Sequence, residues 1–402
     1  MNKKINICFV IPPSFPVPAV KGGAIEGLVT GLIKENRAEE NLVFHVITKY
    51  DEEAEAYANK CNYENVKFIY IHSKQLIEFI SRFIFRVMFH LFNVRGNKIF
   101  SYYRQLHRIL KEKKFDFVIA EGGDYLEIRK CAENYGNEQM ILHLHHHYEP
   151  DDEIAASYGN IIGVSEYVTQ EYMKNPLSEN TKSFVLRNTI NTSKFSKRLS
   201  KEEIRRLRQN LGFRQDDFVV LYIGRIIDVK GVLELIESIL KIEDKSVKLL
   251  IIGSANFSVN TYTDYEKKVQ EYADKNSDRI KKIGYIKNDE LYSMMSIANI
   301  QCVPSLCEEA AGLVVLEAMA MGLPTIVTDS GGMVEYVTRD TSIVVQREYL
   351  DLELRQAVLK LKNDYELRNS MKKSSLEYVK YVSEKVYYNE FCKIIQSLYK
   401  VM

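Results

Sequence analysis

Short apolar runs separated by helix-length stretches recur through almost the whole chain, and no other feature constrains the fold as much. The runs fall at 5–11, 42–47, 66–71, 115–120 and 139–144, then at 217–223, 248–253, 283–286, 300–303, 325–328 and 343–346. Strand-length runs alternating with helical patterns predict βαβ units and a doubly wound parallel α/β sheet. At 402 residues the chain exceeds one ordinary domain and suits two of about 200 residues each. Two such units imply a cleft.

Open parallel sheets bind ligands outside the carboxyl ends of their strands. The loop after 300–303 is therefore informative. It leads from Ser305 to Ala311 into a helix predicted from Gly312 to Met321, stopped by Gly322-Leu323-Pro324, and on to the buried strand 325–328. The amides of Gly312, Leu313 and Val314 are aimed outward from a helix N-terminus, which suits an anion. Glu309 precedes that helix and Glu317 lies within it, with seven residues between them. One carboxylate can face a ligand from the loop and the other from the helix, and both accept hydroxyl hydrogen bonds. Upstream, the run 217–223 ends in Gly224-Arg225-Ile226-Ile227-Asp228-Val229-Lys230-Gly231 ahead of a helix starting near Val232. Two cations at a helix start compensate a diphosphate and the charge that grows on a leaving group.

Glu309, Glu317, Ala318-Met319-Ala320, Gly322, Pro324 and Gly331-Gly332-Met333-Val334-Glu335 together resemble the donor-site signature of the retaining glycosyltransferases of family 4, which have the GT-B fold. The resemblance covers nearly the whole chain and is strongest from Gly224 to Glu335. It implies two Rossmann-like domains facing across a deep cleft, with an acceptor-side domain at 1–183 and a donor-binding domain at 184–387. A final helix at 388–402 is expected to cross back to the first domain. By the same resemblance Glu309 holds sugar hydroxyls, Glu317 the ribose, and the amides of the Gly312, Leu313 and Val314 helix start the distal phosphate. Arg225 and Lys230 match the diphosphate pair after the Gly224 turn, and the loop Gly284-Tyr285-Ile286 resembles the wall for the nucleotide base. Two departures stand out. Ala310-Ala311 replaces the usual Gly-Phe, which touches the sugar pocket, and Asn188-Thr189-Ile190-Asn191 replaces Asn-Gly-Ile-Asp in the link between domains.

In the first half, Lys21-Gly22-Gly23-Ala24 follows a Pro-rich loop and opens a helix over 25–34. On local grounds it is an ordinary βα loop; the resemblance makes Gly22 and Gly23 a surface facing the donor phosphates. Glu121-Gly122-Gly123-Asp124 and His143-Leu144-His145-His146-His147 end two neighbouring strands on the ligand side. Alternate His residues can bind a metal, but no carboxylate or Cys stands at a familiar ligand spacing. The resemblance places His145 beside the donor sugar, with His143 and His146 as register alternatives, as a hydrogen-bonding rather than metal-binding group.

A net charge of +1 excludes a nucleic-acid protein working by overall basicity. Six Cys without a Cys-x-x-Cys pair, and no signal peptide before the first strand, point to a reducing cytoplasm. No run is long and apolar enough to span a bilayer. The segment 76–92, LIEFISRFIFRVMFHLF, places Glu78, Arg82, Arg86 and His90 in one narrow stripe of an otherwise apolar helix. It opens a region, 74–114, with ten Lys or Arg against two acids, a local charge of +8. Such a segment suits either peripheral binding to an anionic membrane face or burial between domains or in a homodimer contact.

The expectation is a hexosyltransferase-type enzyme that moves a sugar from a nucleotide-diphosphate donor to a hydroxyl of a glycan or lipid-linked acceptor. UDP-sugars are the first choice of donor, GDP- and dTDP-sugars the alternatives. Neither cofactor nor metal is expected: Arg225, Lys230 and the Gly312 amides carry the leaving diphosphate, and no Asp-x-Asp is present. The competing readings are a sugar-nucleotide epimerase on the same fold, a non-catalytic partner subunit, and a zinc hydrolase built on the His cluster.

Overall fold

The computed structural model describes residues 4–36, 41–72, 101–255, 263–287 and 290–400. The segment 76–92 lies outside them. The chain divides into two compact units, one running to Asn188 and taking up the chain again from Glu384, the other spanning Thr189–Ser383.

The first unit holds β1 (Ile5–Val10), β2 (Leu42–Lys49), β3 (Val66–Ile71), β4 (Phe117–Ala120), β5 (Met140–Leu144), β6 (Asn160–Gly163) and β7 (Lys182–Val185), ordered β3-β2-β1-β4-β5-β6-β7. Every pairing is parallel. Ile7, Phe9 and Val10 are fully buried, as a strand covered on both faces requires. The helix Glu384–Tyr399 belongs to this unit because its apolar face completes the core. Phe391 lies 5.8 Å from Phe9 and 6.0 Å from Phe44, ring centre to ring centre. The Tyr388 hydroxyl donates to Asn36 Oδ1 at 2.9 Å. Burying Tyr387, Phe391, Ile395 and Leu398 contributes about 1.5–3 kcal/mol apiece, so the first unit depends on a segment nearly two hundred residues downstream of its other strands.

The second unit holds β8 (Phe218–Ile223), β9 (Val247–Ile252), β10 (Ile280–Ile283), β11 (Ile300–Val303), β12 (Thr325–Thr328) and β13 (Ser342–Val345), ordered β10-β9-β8-β11-β12-β13 and all parallel. In each sheet the chain first builds outward one way and then returns to build the other way. The direction changes between β1 and β4 and between β8 and β11, and such switch points open a crevice at the carboxyl ends. The helix Leu313–Met321 buries Val315, Leu316, Ala318 and Met319 against the sheet. It ends where Gly322 takes a left-handed conformation, with Leu323 N–H donating back to Ala318 O at 2.9 Å.

Three expectations are corrected. The run 283–286 is not a strand: β10 ends at Ile283, and Gly284-Tyr285-Ile286 is the loop that follows. The expected boundary falls inside a strand, because Lys182–Val185 pairs with β6 as the edge strand β7. A boundary between 183 and 184 would cut that strand, and the compact unit runs to Asn188. At the far end the first unit resumes at Glu384 rather than 388, since the whole last helix packs on it.

Candidate functional site

In the second unit the predicted residues gather at the switch point. The β8 strand delivers Gly224 and Arg225, and a short 3-10 turn, Asp228–Lys230, follows. Gly231 then adopts φ +66, and a Cβ there would lie 2.0 Å from the Pro304 carbonyl oxygen. Only glycine allows this approach. It brings the β8 loop onto the β11 loop, where Leu306 N–H donates to Val229 O at 2.9 Å. Lys230 is thereby carried to Glu309: Nζ stands 2.5 Å from Oε1, and each side chain is 18% exposed. The Ser305 hydroxyl also donates to Glu309 Oε1. Arg225 is exposed, and its carbonyl accepts from the Tyr222 hydroxyl at 2.7 Å.

The β11 loop is itself fixed from below. The buried hydroxyls of Thr328 and Ser330 donate to Ser305 O at 2.8 and 3.0 Å, and Gly332 N–H donates to Glu309 O at 2.7 Å. Arg347 joins the same two loops, with Nη2 2.6 Å from Glu308 and Nε 3.3 Å from Asp329. These ties hold the Glu309 backbone beside the start of the helix Leu313–Met321. No side chain caps that helix at Gly312, so its first amides, with the positive end of the helix dipole, offer an anion site. Glu317 lies one turn further in and is half-buried. Burial pushes its carboxyl up to about 7, with Lys194 acting in the opposite sense. A ligand hydroxyl there would replace solvation that the site has removed. Tyr285 and Ile286 stand apart from this group, after β10 at the far edge of the sheet, with the Tyr285 side chain exposed.

In the first unit Gly22 and Gly23 have φ of +86 and +96 and open the helix Ala24–Glu35. Glu26 folds back over this start, since a Cβ on Gly23 would collide with its carboxylate. Glu26 is almost wholly buried, and burial together with the nearby Glu121 pushes it up to about 7. Glu121 closes β4 with no exposure, and its Oε2 meets His143 Nδ1 at 2.9 Å and His145 Nε2 at 2.7 Å. Burial alone would raise the Glu121 pKa, but the two imidazoles hold it down to about 2. Burial and the neighbouring His143 lower His145 to about 4, against the pull of Glu121. His145 is therefore neutral and Glu121 ionised at neutral pH. His146 points elsewhere and stacks near Tyr125 at 6.0 Å.

The ligating atoms of Glu121, His143 and His145 lie within 4.8 Å of one another, close enough to hold an ion. Glu121 Oε2 is already engaged by both imidazoles, while Glu121 Oε1, His143 Nε2 and His145 Nδ1 are buried without a hydrogen-bond partner among the described residues. Sequence reasoning missed Glu121 as the partner of both histidines, Ser305 as a partner of Glu309, and Arg347 as the tie between loops. For the first, the sequence shows only that Glu121 and the alternate His residues end successive strands; their meeting follows from the parallel pairing of β4 with β5. The other two have no signal in the sequence.

Comparison with known proteins fits this geometry. Residues 203–377 match the family model described as glycosyl transferases group 1. The lipopolysaccharide 1,2-N-acetylglucosaminetransferase of Salmonella typhimurium is 27% identical over 212 residues, 52% of this chain and 54% of that protein. Spore coat protein SA of Bacillus subtilis is 22% identical over 83% of each chain. The chain spans about half the length of the first curated relatives it matches, 53% and 54%. Among solved structures, a glycosyltransferase from Rickettsia africae superposes with a TM-score of 0.75 at 18% identity over 99% of both chains. HepE of Anabaena in complex with UDP-glucose gives 0.73 at 16% identity over 98% of this chain and 100% of that one. These likenesses establish the fold as GT-B.

Proposed function

We propose that this chain, whose residues 203–377 are a glycosyl transferases group 1 domain on a GT-B fold, is a metal-independent retaining glycosyltransferase. It moves a sugar from a nucleotide-diphosphate donor, a UDP-sugar before a GDP- or dTDP-sugar, to a hydroxyl of a glycan or lipid-linked acceptor in cell-surface polysaccharide synthesis. The observation that carries this reading is the Lys230–Glu309 pair beside the uncapped Gly312 helix start. A diphosphate bound at that helix start competes with Glu309 for the Lys230 ammonium. As Lys230 turns to the phosphate, the Glu309 carboxylate is released to accept sugar hydroxyls, so one ligand with both groups engages the whole cluster. Arg225 adds the second cation, Glu317 takes the ribose, and Tyr285 and Ile286 border the base. Held this way, the leaving diphosphate needs no further cation as its charge grows, and a preorganised donor of this kind is typically worth about 3–4 kcal/mol. The departing phosphate then accepts the acceptor's proton on the face it leaves from, giving retention.

HepE is solved in complex with UDP and with UDP-glucose, and the Salmonella relative is named for N-acetylglucosamine transfer onto lipopolysaccharide. Both support a UDP-sugar and a surface-glycan acceptor. Product analysis after incubation with UDP-sugars and lipid-linked acceptors tests the proposal. A glycosylated acceptor of unchanged anomeric configuration supports it; free epimer without transfer would identify an epimerase instead.

Among the described residues no helix is long and apolar enough to cross a membrane. From the sequence of 76–92 and the +8 charge of 74–114 we propose that this segment docks on an anionic cytoplasmic leaflet. Sedimentation with anionic liposomes should fall with salt and drop for Arg82→Glu with Arg86→Glu. Wild-type protein that ignores such liposomes at low salt would assign the segment to an internal or homodimer contact.

A further inference from the structure

Arg225 and Lys230 stand on one short loop between β8 and the helix Val232–Lys241, and much of what holds that loop comes from elsewhere in the second unit. Within it, Lys230 N–H donates to Ile227 O at 3.0 Å and Gly231 N–H to Asp228 O at 3.1 Å. The helix that follows starts without a cap of its own. A Cβ at Gly231 would collide with the Pro304 carbonyl, so the position that normally supplies a capping oxygen carries no side chain. Tyr265 supplies the oxygen from another helix, Asp264–Lys275: Leu233 N–H donates to the Tyr265 hydroxyl at 3.2 Å.

The next residue on that helix grips the other end of the loop. Successive helical residues point about 100° apart, so Tyr265 and Glu266 reach different neighbours. Glu266 turns inward and is 3% exposed; its Oε2 accepts from Ala255 N–H at 3.2 Å, and its Oε1 faces the buried Lys282 Nζ at 3.5 Å. The backbone just before Ala255 carries the loop. Ser254 O accepts from Ile226 N–H at 3.2 Å and Ile252 O from Gly224 N–H at 3.1 Å. Between them Gly253 has φ +140, and a Cβ there would lie 1.9 Å from Gly224 O, so the end of β9 lies flat on the end of β8. Moving the Glu266 carboxylate would strip both the Ala255 amide and Lys282 of a buried partner. Arg225 is exposed and Lys230 only partly covered, so the place of their charges is set by a backbone held at these two points.

We infer that Tyr265 and Glu266 are positioning residues of the diphosphate clamp: from one helix start they fix the backbone on either side of Arg225 and Lys230, and so set the preference for a diphosphate over a monophosphate. The identity of the ligand rests on the transferase reading; the holding of the loop does not. Neither side chain needs to touch the ligand. Two cations attract a second phosphate fully only if they are in place when it arrives, and a loop that must be ordered on binding loses part of that attraction.

Calorimetry with UDP and UMP on the full chain, together with deuterium uptake at 226–233 in the free protein, tests this on Tyr265→Phe, Glu266→Gln and a matched control. The control is Tyr272→Phe, which removes another hydroxyl bond between the same two helices, from Tyr272 to Glu237 Oε1 at 3.3 Å, away from the loop. Tyr265→Phe and Glu266→Gln should bind UDP about threefold to tenfold more weakly, the size of one lost hydrogen bond, with UMP affinity within about twofold of wild type. Residues 226–233 should exchange faster in both. Tyr272→Phe should match wild type on both counts. A merely structural role would lower Tm and leave the ratio of UDP to UMP affinity where it is. An unaltered ratio or unaltered exchange in either variant overturns the role of that residue, and an equal loss in Tyr272→Phe overturns both. If Glu266→Gln does not fold, Tyr265→Phe decides. If wild type binds neither UDP nor UMP, the reading of a UDP-sugar donor fails, and the inference then stands or falls on whether Tyr265→Phe speeds exchange at 226–233 more than Tyr272→Phe does.

Discussion

Lys230→Ala removes one ammonium from a place where the structure gives it two tasks, and the two have different sizes. Its pairing with Glu309 Oε1 at 2.5 Å joins side chains that are each 18% exposed. Exposed pairs are worth about 0–1 kcal/mol, and breaking a fully buried pair costs about 3–5 kcal/mol. A pair of intermediate exposure, whose surviving carboxylate keeps the Ser305 hydroxyl, should cost about 1–2 kcal/mol. For a unit of this size that lowers Tm by roughly 2–8 °C. Loss of a preorganised donor at the leaving group costs about a hundredfold to a thousandfold in kcat. The variant should therefore stay folded at 25 °C and turn over nucleotide-sugar at least a hundredfold more slowly. Differential scanning fluorimetry and initial-rate release of nucleoside diphosphate measure both quantities on one preparation. Transfer within about threefold of wild type, or a rate loss explained by the unfolded fraction, would refute the assignment of Lys230.

Glu317→Ala should weaken nucleoside diphosphate binding at least tenfold by calorimetry, whereas Glu309→Ala unpairs Lys230 and should leave that affinity equal or higher while abolishing most transfer; equal losses would sink the division of labour. Gly231→Ala puts a Cβ 2.0 Å from Pro304 O at φ +66, so it should cost more than about 2 kcal/mol in urea melts and displace Lys230, lowering turnover; a neutral result contradicts the loop contact. Burial raises Glu26 from 4.5 to about 7, so its contribution to stability is present below the unfolded value and lost as pH rises through 7. Glu26→Gln should accordingly exceed wild type by about 1–3 kcal/mol at pH 8.5 and match it at pH 4.5 in denaturant titrations; an equal difference at both pH values would contradict this.

The strands with continuous apolar runs were legible because a buried parallel strand leaves no polar face to confuse the pattern. β7, Lys182–Val185, was not: as an edge strand with Lys182 and Ser183 exposed, it has too little apolar sequence to be told from a linker. Domain boundaries failed by a few residues for the same reason at β7. At the other end, whether residues 384–387 join the last helix is decided by packing against Gly31 and the β1–β2 core, which sequence does not display. In the site, spacing exposed Glu309, Glu317, Arg225 and Lys230 as separate candidates. That Lys230 and Glu309 meet depends on a positive-φ glycine and a carbonyl from another loop, a contact across seventy-nine positions. Glu121 likewise became informative only when parallel pairing set β4 beside β5 and brought its carboxylate to alternate histidines.

In the proposed mechanism the second unit holds a nucleoside diphosphate through its own cations and helix amides. Thermal-shift titration of the full chain with UDP-, GDP- and dTDP-sugars in excess EDTA tests it most directly. Ligand at a hundred times Kd stabilises by about 2.7 kcal/mol, so at least one donor should raise Tm by roughly 5–10 °C, and Lys230→Ala with Glu317→Ala should lose that rise. No shift with any of the three, or a shift seen only when a divalent cation replaces the EDTA, would contradict metal-independent binding by these groups.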